Sequence, residues 1–334
     1  MRSRGRWRVA GFAVGAILVV AAVVAVLSNR SLATAALDSA KGASAGTIAL
    51  LVGGAIVNLV ASAAGLRALM LRHGQVGATE MQAVIASATL LNYAPFRPGL
   101  ASRAAYHHVV NGIPVMATML TVVQSMALAL CGIAWLAASA WLLRAGGGFG
   151  GPQVGFAFVA LAPAIGVAGI MAAPAGSWRR TIAVAWLWRC VDMAAWVVRY
   201  HAAFAITGIS LSLADSAVAA AGAGAANLVP FVGNGLGVRE WLVGIMGSSM
   251  RLWTMDAGLA ADIVNRAGDL IVCVPLGLAA LPFVAARLRH ATRAQRVPDA
   301  AHAPAEAPPH VELLPPQSAS DAHAPASSGL PPHP

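Results

Sequence analysis

Apolar runs of membrane-spanning length recur along this chain, separated by short segments that carry arginine. A backbone inside a bilayer has no water to bond, so such runs fold as helices that satisfy their own N–H and C=O groups. Six runs have the length and character of spans: residues 9–27, 46–66, 115–143, 154–173, 181–206 and 258–286. The first of these would rise about 28 Å at 1.5 Å per residue, close to the roughly 30 Å of a hydrocarbon core. It also exceeds the usual apolar stretch of a signal peptide, which favours an anchored span over a cleaved leader. Of 334 residues, 58% are hydrophobic and only 10% are charged, which excludes an ordinary soluble domain. The expected fold is an all-α polytopic membrane protein.

Two further apolar stretches, 79–112 and 216–250, are too interrupted to cross as single helices. Both carry one pattern: Asn92-Tyr93-Ala94-Pro95-Phe96 returns as Asn227-Leu228-Val229-Pro230-Phe231. A glycine follows each copy, with an arginine four residues further on: Gly99 and Arg103, then Gly235 and Arg239. A proline frees backbone groups, and an intramembrane arginine is costly unless it faces protein or water. We read two re-entrant broken-helix hairpins. Paired broken elements in the two halves of an apolar chain are the strongest sequence pointer to a transporter-type site.

Charge sets the expected orientation. With the N-terminus inside and each hairpin returning to its own side, one face holds Arg2, Arg4, Arg6, Arg8, Arg67, Arg72, Arg97, Arg103, Arg179, Arg180, Arg287, Arg289, Arg293 and Arg296. The other holds Arg30, Lys41, Arg144 and Arg251. This bias predicts both termini in the cytoplasm. The net charge of +10 therefore encodes topology. No basic face with interleaved aromatics accompanies it, so nucleic acid is not an expected partner.

The expected organisation is a basic segment (1–8), a transmembrane domain (9–289) and a disordered Pro-, Ala- and His-rich tail (290–334). Within the domain, repeat one covers about 46–143 and repeat two about 181–286, inverted relative to each other. Cys131, Cys190 and Cys273 lie apart in apolar runs and read as small buried residues. No metal, cofactor or nucleophile–base constellation is expected, and the chain does not read as an enzyme.

The stretch from Leu228 to Glu240, with Pro230, Gly233, Gly235, Gly237, Arg239 and Glu240, resembles the P-x-x-G-G-x-G-x-R-E signature of the flippase-like membrane region of lysylphosphatidylglycerol synthases. The first broken element is similar to that family's earlier proline–glycine–arginine region, with one residue fewer before the proline. The resemblance spans roughly residues 10–290. It departs at Asn234, where the family usually has glycine, and at Gln124 and Ser125, where charged residues are common. Nothing enzyme-sized follows the membrane region. The resemblance thus implies the translocating half alone: a multi-pass protein of a bacterial inner membrane that moves a polar-headgroup lipid between leaflets. The alternative is a non-transporting accessory that presents lipid to a separate lipid-modifying enzyme or glycosyltransferase.

For a lipid headgroup, the candidate contacts are Arg103, Arg239, Glu240, Asn92, Asn227, Gly235 and Gly237. Arginine beside a helix start suits a phosphate. Arg239 could instead neutralise Asp262 or Asp269, and Glu240 could serve as a counter-charge. Asp262, Arg266 and Asp269 share one helix face, where Arg266 can reach both carboxylates. Arg189 and Asp192 form a second structural pair, and Arg199 reads as reaching towards headgroups.

Overall fold

The computed structural model describes residues 41–93, 98–145, 152–228 and 237–296. The basic segment 1–8, the span 9–27, the turns with Pro95, Pro230 and Gly235, and the tail from 297 lie outside the described residues. These residues form α1 (Ala45–Met70), α2 (Ala78–Leu91), α3 (Pro98–Asn111), α4 (Val115–Arg144), α5 (Pro152–Ala172), α6 (Trp178–Ile206), α7 (Leu213–Asn227), α8 (Val238–Ser249) and α9 (Met255–Arg296). Neither strand nor bridge occurs among them.

Among the described residues, five helices are long and apolar enough to cross a bilayer: α1, α4, α6, and the greater part of α5 and α9. Their apolar side chains face outward as well as inward. Val123, Leu130, Phe156, Val167 and Ile271 are exposed among many others, as expected where the solvent is lipid. The two interrupted stretches fold as helix pairs, α2 with α3 and α7 with α8. At 1.5 Å per residue none of these four rises more than about 23 Å, short of a bilayer core. Local chemistry sets where helices begin: the hydroxyls of Ser44, Ser177 and Ser212 accept from Thr47, Arg180 and Asp215 backbone N–H groups at 3.1, 3.3 and 3.1 Å.

α9 continues ten residues past position 286, to Arg296. Residues 290–296, which the sequence reading assigned to the tail, are helical. Alanine, leucine and arginine are strong helix formers, and Arg287 lies 5.5 Å over the Phe283 ring one turn back.

Packing joins the elements in matched pairs. α1 runs antiparallel to α6: Gly54 meets Ala195 and Arg199, Asn58 meets Asp192, and Gly65 meets Ala185 and Trp188. α2 packs on α9, with Ala86 and Leu90 against Gly277. Correspondingly, α7 runs antiparallel to α4, from the Asp215–Arg144 ion pair to Gly224 against Ile133. Small residues permit these approaches; a methyl group on Gly54 would lie 2.5 Å from Arg199 Cγ. α7, rich in alanine, is buried along most of its length between α4, α6 and α8.

Candidate functional site

Asn58 and Asp192 occupy the midpoints of α1 and α6, and their side chains meet there. Asn58 Nδ2 donates to Asp192 Oδ1 at 2.9 Å and to its backbone oxygen at 2.8 Å. Arg189 Nη1 lies 2.6 Å from Asp192 Oδ2, and its Nη2 reaches Ser125 Oγ of α4 at 3.3 Å. On the other side, Asn58 Oδ1 accepts from Arg199 Nη1 at 2.9 Å. One asparagine therefore links an acidic and a basic residue of the facing helix.

Arg199 is 1% exposed, so it is held inside the protein and does not extend to the bilayer surface. Its Nη2 lies 2.6 Å from Asp269 Oδ1 and donates to the Asn265 carbonyl at 3.2 Å. Arg239 of α8 completes the chain of charges: Nε is 2.9 Å from Asp262 Oδ2, and Nη1 is 3.4 Å from Asp269 Oδ2. The Tyr200 hydroxyl donates to the remaining Asp262 oxygen. The Trp196 ring lies under both guanidinium groups, 4.7 Å from Arg199 Cζ and 5.5 Å from that of Arg239. Arg239 Nη2 and Arg199 Nε, both buried, find no acceptor among the described residues.

The spacing on α9 suggested that Arg266 bridges Asp262 and Asp269; Arg239 makes that bridge. At 100° per residue, Asp262 and Asp269 point within about 20° of each other, and Arg266 is turned some 40–60° aside. There it meets Glu240, with Nε 2.7 Å from Oε1 but without hydrogen-bond alignment. Glu240 is thus a counter-charge to Arg266.

Part of this network lines a cavity of about 270 Å³. Its walls come from α1 (Asn58, Ser62), the end of α2 (Thr89, Tyr93), α6 (Arg189, Asp192, Trp196, Arg199), the end of α7 (Asn227), the start of α8 (Arg239) and α9 (Asp269, Cys273). One residue from each copy of the repeated pattern, Tyr93 and Asn227, therefore borders the same space. Tyr93 of the first copy lies in the electrostatic field of Asp269, Arg239 and Arg266. A separate, apolar cavity of about 380 Å³ lies between α4, α5, α6 and α7, lined by residues such as Trp135, Phe156 and Met193. Arg189 borders both: its stem packs against Gly132, where a methyl group would lie 3.1 Å from Cγ, and its head faces Asp192.

Not every residue singled out in the sequence reaches the polar cavity. Arg239 and Asn227 line it, whereas Arg103, Asn92, Gly237 and Glu240 do not. Asn92 ends α2, its buried Oδ1 without a donor among the described residues. It sits at the crossing with Gly99, where a methyl group would lie 1.9 Å from the Ala88 carbonyl oxygen. Gly237 precedes α8 at φ +80°, which favours glycine. Arg103 lies on α3, its buried Nε without a partner among the described residues. Gly235 lies outside them. Conversely, Asn58, Ser62, Tyr93, Trp196 and Tyr200 were not singled out. Asn58 had a signal: an amide at the centre of an apolar run is expensive unless it bonds to protein.

Among the described residues, five helices long and apolar enough to cross a bilayer, with a charged site midway along two of them, place the chain in the class of helical membrane proteins. Compared with models of protein families, with curated proteins and with solved structures, the chain finds no match. No group of three or more His, Cys, Asp or Glu placed to hold a metal occurs among the described residues.

Proposed function

We propose that the protein translocates a polar-headgroup lipid between the leaflets of a bacterial inner membrane, as a flippase or scramblase. The observation that carries this reading is the convergence of both broken elements on one charged cavity at mid-helix depth. The arginines supply donors for a phosphate. The antiparallel α1–α6 pairing, and the exchange by which α2 packs on α9 while α7 packs on α4, support two inverted repeats with re-entrant hairpins. In that arrangement the site faces each side in turn as one repeat rocks against the other. The headgroup contacts are Arg199, Arg239, Asn227 and Tyr93. Arg103 on α3 does not line the cavity, so the phosphate donors are Arg199 and Arg239, which both do. The apolar cavity beside Arg189 suits an acyl chain leaving the headgroup.

The test is translocation of short-chain fluorescent phospholipid in liposomes of purified protein, read by dithionite quenching. Wild type is expected to expose the inner-leaflet signal, and Thr89→Trp, which fills the cavity wall at the end of α2, to slow it at least tenfold while remaining folded. Equal rates in wild type, Thr89→Trp and protein-free liposomes would overturn unaided transport and favour the accessory reading.

A further inference from the structure

The buried network holds Arg189, Arg199, Arg239 and Arg266 against Asp192, Glu240, Asp262 and Asp269. Its charges cancel. An entering phosphodiester adds one negative charge, and every arginine of the network already faces a carboxylate. A buried charge without a counter-charge is costly enough that a titratable neighbour changes its protonation instead.

Asp269 is the carboxylate placed to make that change. It lines the cavity, its side chain is 16% exposed, and its two oxygens lie 2.6 Å from Arg199 Nη2 and 3.4 Å from Arg239 Nη1. Two guanidinium groups from two helices thus share one carboxylate, as they would share two oxygens of a phosphate. Arg239 Nη2 and Arg199 Nε are further buried donors without acceptors among the described residues. Asp262 keeps Arg239 in position at 2.9 Å whether or not Asp269 stays, and Asp192 is held by Arg189 and Asn58.

We propose that Asp269 is a resident counter-anion, which a phosphodiester headgroup displaces from Arg199 and Arg239, and that the freed carboxylate takes up one proton from cavity water. The proton returns to water when the headgroup leaves and Asp269 regains its arginines. The groups facing Asp269 agree with this balance. They are Arg199 from α6, Arg239 from α8, Tyr93 just past α2, and Cys273 on its own helix, with Arg189 and Asp192 further along the same cavity. Once the phosphate holds Arg199 and Arg239, the remaining cations are Arg266, matched by Glu240, and Arg189, matched by Asp192. This inference rests on the headgroup reading and makes binding of an anionic lipid proton-coupled.

The test is calorimetric titration of the purified full-length protein with dihexanoylphosphatidylglycerol, in pairs of buffers of unlike ionisation enthalpy, from pH 6 to 8. Wild type is expected to take up about one proton per lipid bound, with affinity falling about tenfold per pH unit wherever that full proton is taken up. Asp269→Asn is expected to bind without proton uptake and with affinity constant within about twofold. Binding by wild type without proton uptake would overturn this inference alone; so would an uptake unchanged in Asp269→Asn. Absence of binding by wild type would overturn it together with the headgroup site. If Asp269→Asn fails to fold, Asp269→Glu, which keeps a titrating carboxyl, is expected to retain the uptake, and its loss there would count against the exchange. Dimethyl phosphate, titrated separately, shows whether the phosphodiester suffices or the lipid is required; uptake with dimethyl phosphate alone would overturn the lipid as the ligand.

Discussion

Asp192 shows how much of this protein rests on single buried pairings. It meets Arg189 and Asn58 at the centre of the packed α1–α6 pair, where removing one partner strands the other charge in a low-dielectric interior. Asp192→Ala is therefore expected to cost about 3–5 kcal/mol. Arg189→Met combined with Asp192→Leu should recover most of it, read by thermal unfolding in detergent; equal losses in the single and double variants would contradict this account of the pair. At this scale the sequence revealed identities more than partners. Asp262, Arg266, Asp269, Arg189 and Asp192 stood out because charge in an apolar run demands a reason. Spacing along α9 cannot say which helix faces it, so Arg239 took the two aspartates and Arg266 took Glu240.

Among the elements, glycines mark the approaches that hold the broken helices together. Gly99 seats the start of α3 on the Ala88 carbonyl at the end of α2, and backbone there cannot move aside as a flexible side chain would. Gly99→Ala is expected to destabilise the protein by about 1–3 kcal/mol through overpacking. Gly53→Ala on α1, where nothing lies within 4 Å, should be neutral or stabilising through helix propensity. Similar unfolding temperatures for the two variants would contradict the crossing. Elements were more legible than pairings: the spans 46–66, 115–143, 154–173 and 181–206 fall on α1, α4, α5 and α6, because apolar length is written directly in composition. Both interruptions were visible in Pro95, Pro98 and Pro230. The continuation of α9 to Arg296 was not, because polar helix-forming residues past an apolar run read equally well as a tail.

For the whole molecule, the antiparallel α1–α6 contact anchors the arrangement. Cβ atoms at positions 65 and 188 would stand 3.5 Å apart, within disulfide reach. Gly65→Cys with Trp188→Cys, in protein whose native cysteines are replaced by serine, should cross-link under mild oxidation. Gly53→Cys with Trp188→Cys should not. Cross-linking of the second pair alone would contradict the pairing. The repeated N-x-x-P-F pattern pointed to two broken elements. That α2 packs on α9 and α7 on α4 was beyond its reach, since packing between helices distant in sequence leaves no local trace.

The central claim is that the cavity bordered by Tyr93, Asn227 and Arg239 is reached in turn from either side of the membrane. Its most direct test is labelling of Asn227→Cys, in protein otherwise free of cysteine, by a membrane-impermeant thiol reagent. Right-side-out and inside-out vesicles would be compared. The account predicts labelling from both faces, slowed by Thr89→Trp across the cavity. Labelling from one face alone, or from neither, would contradict it.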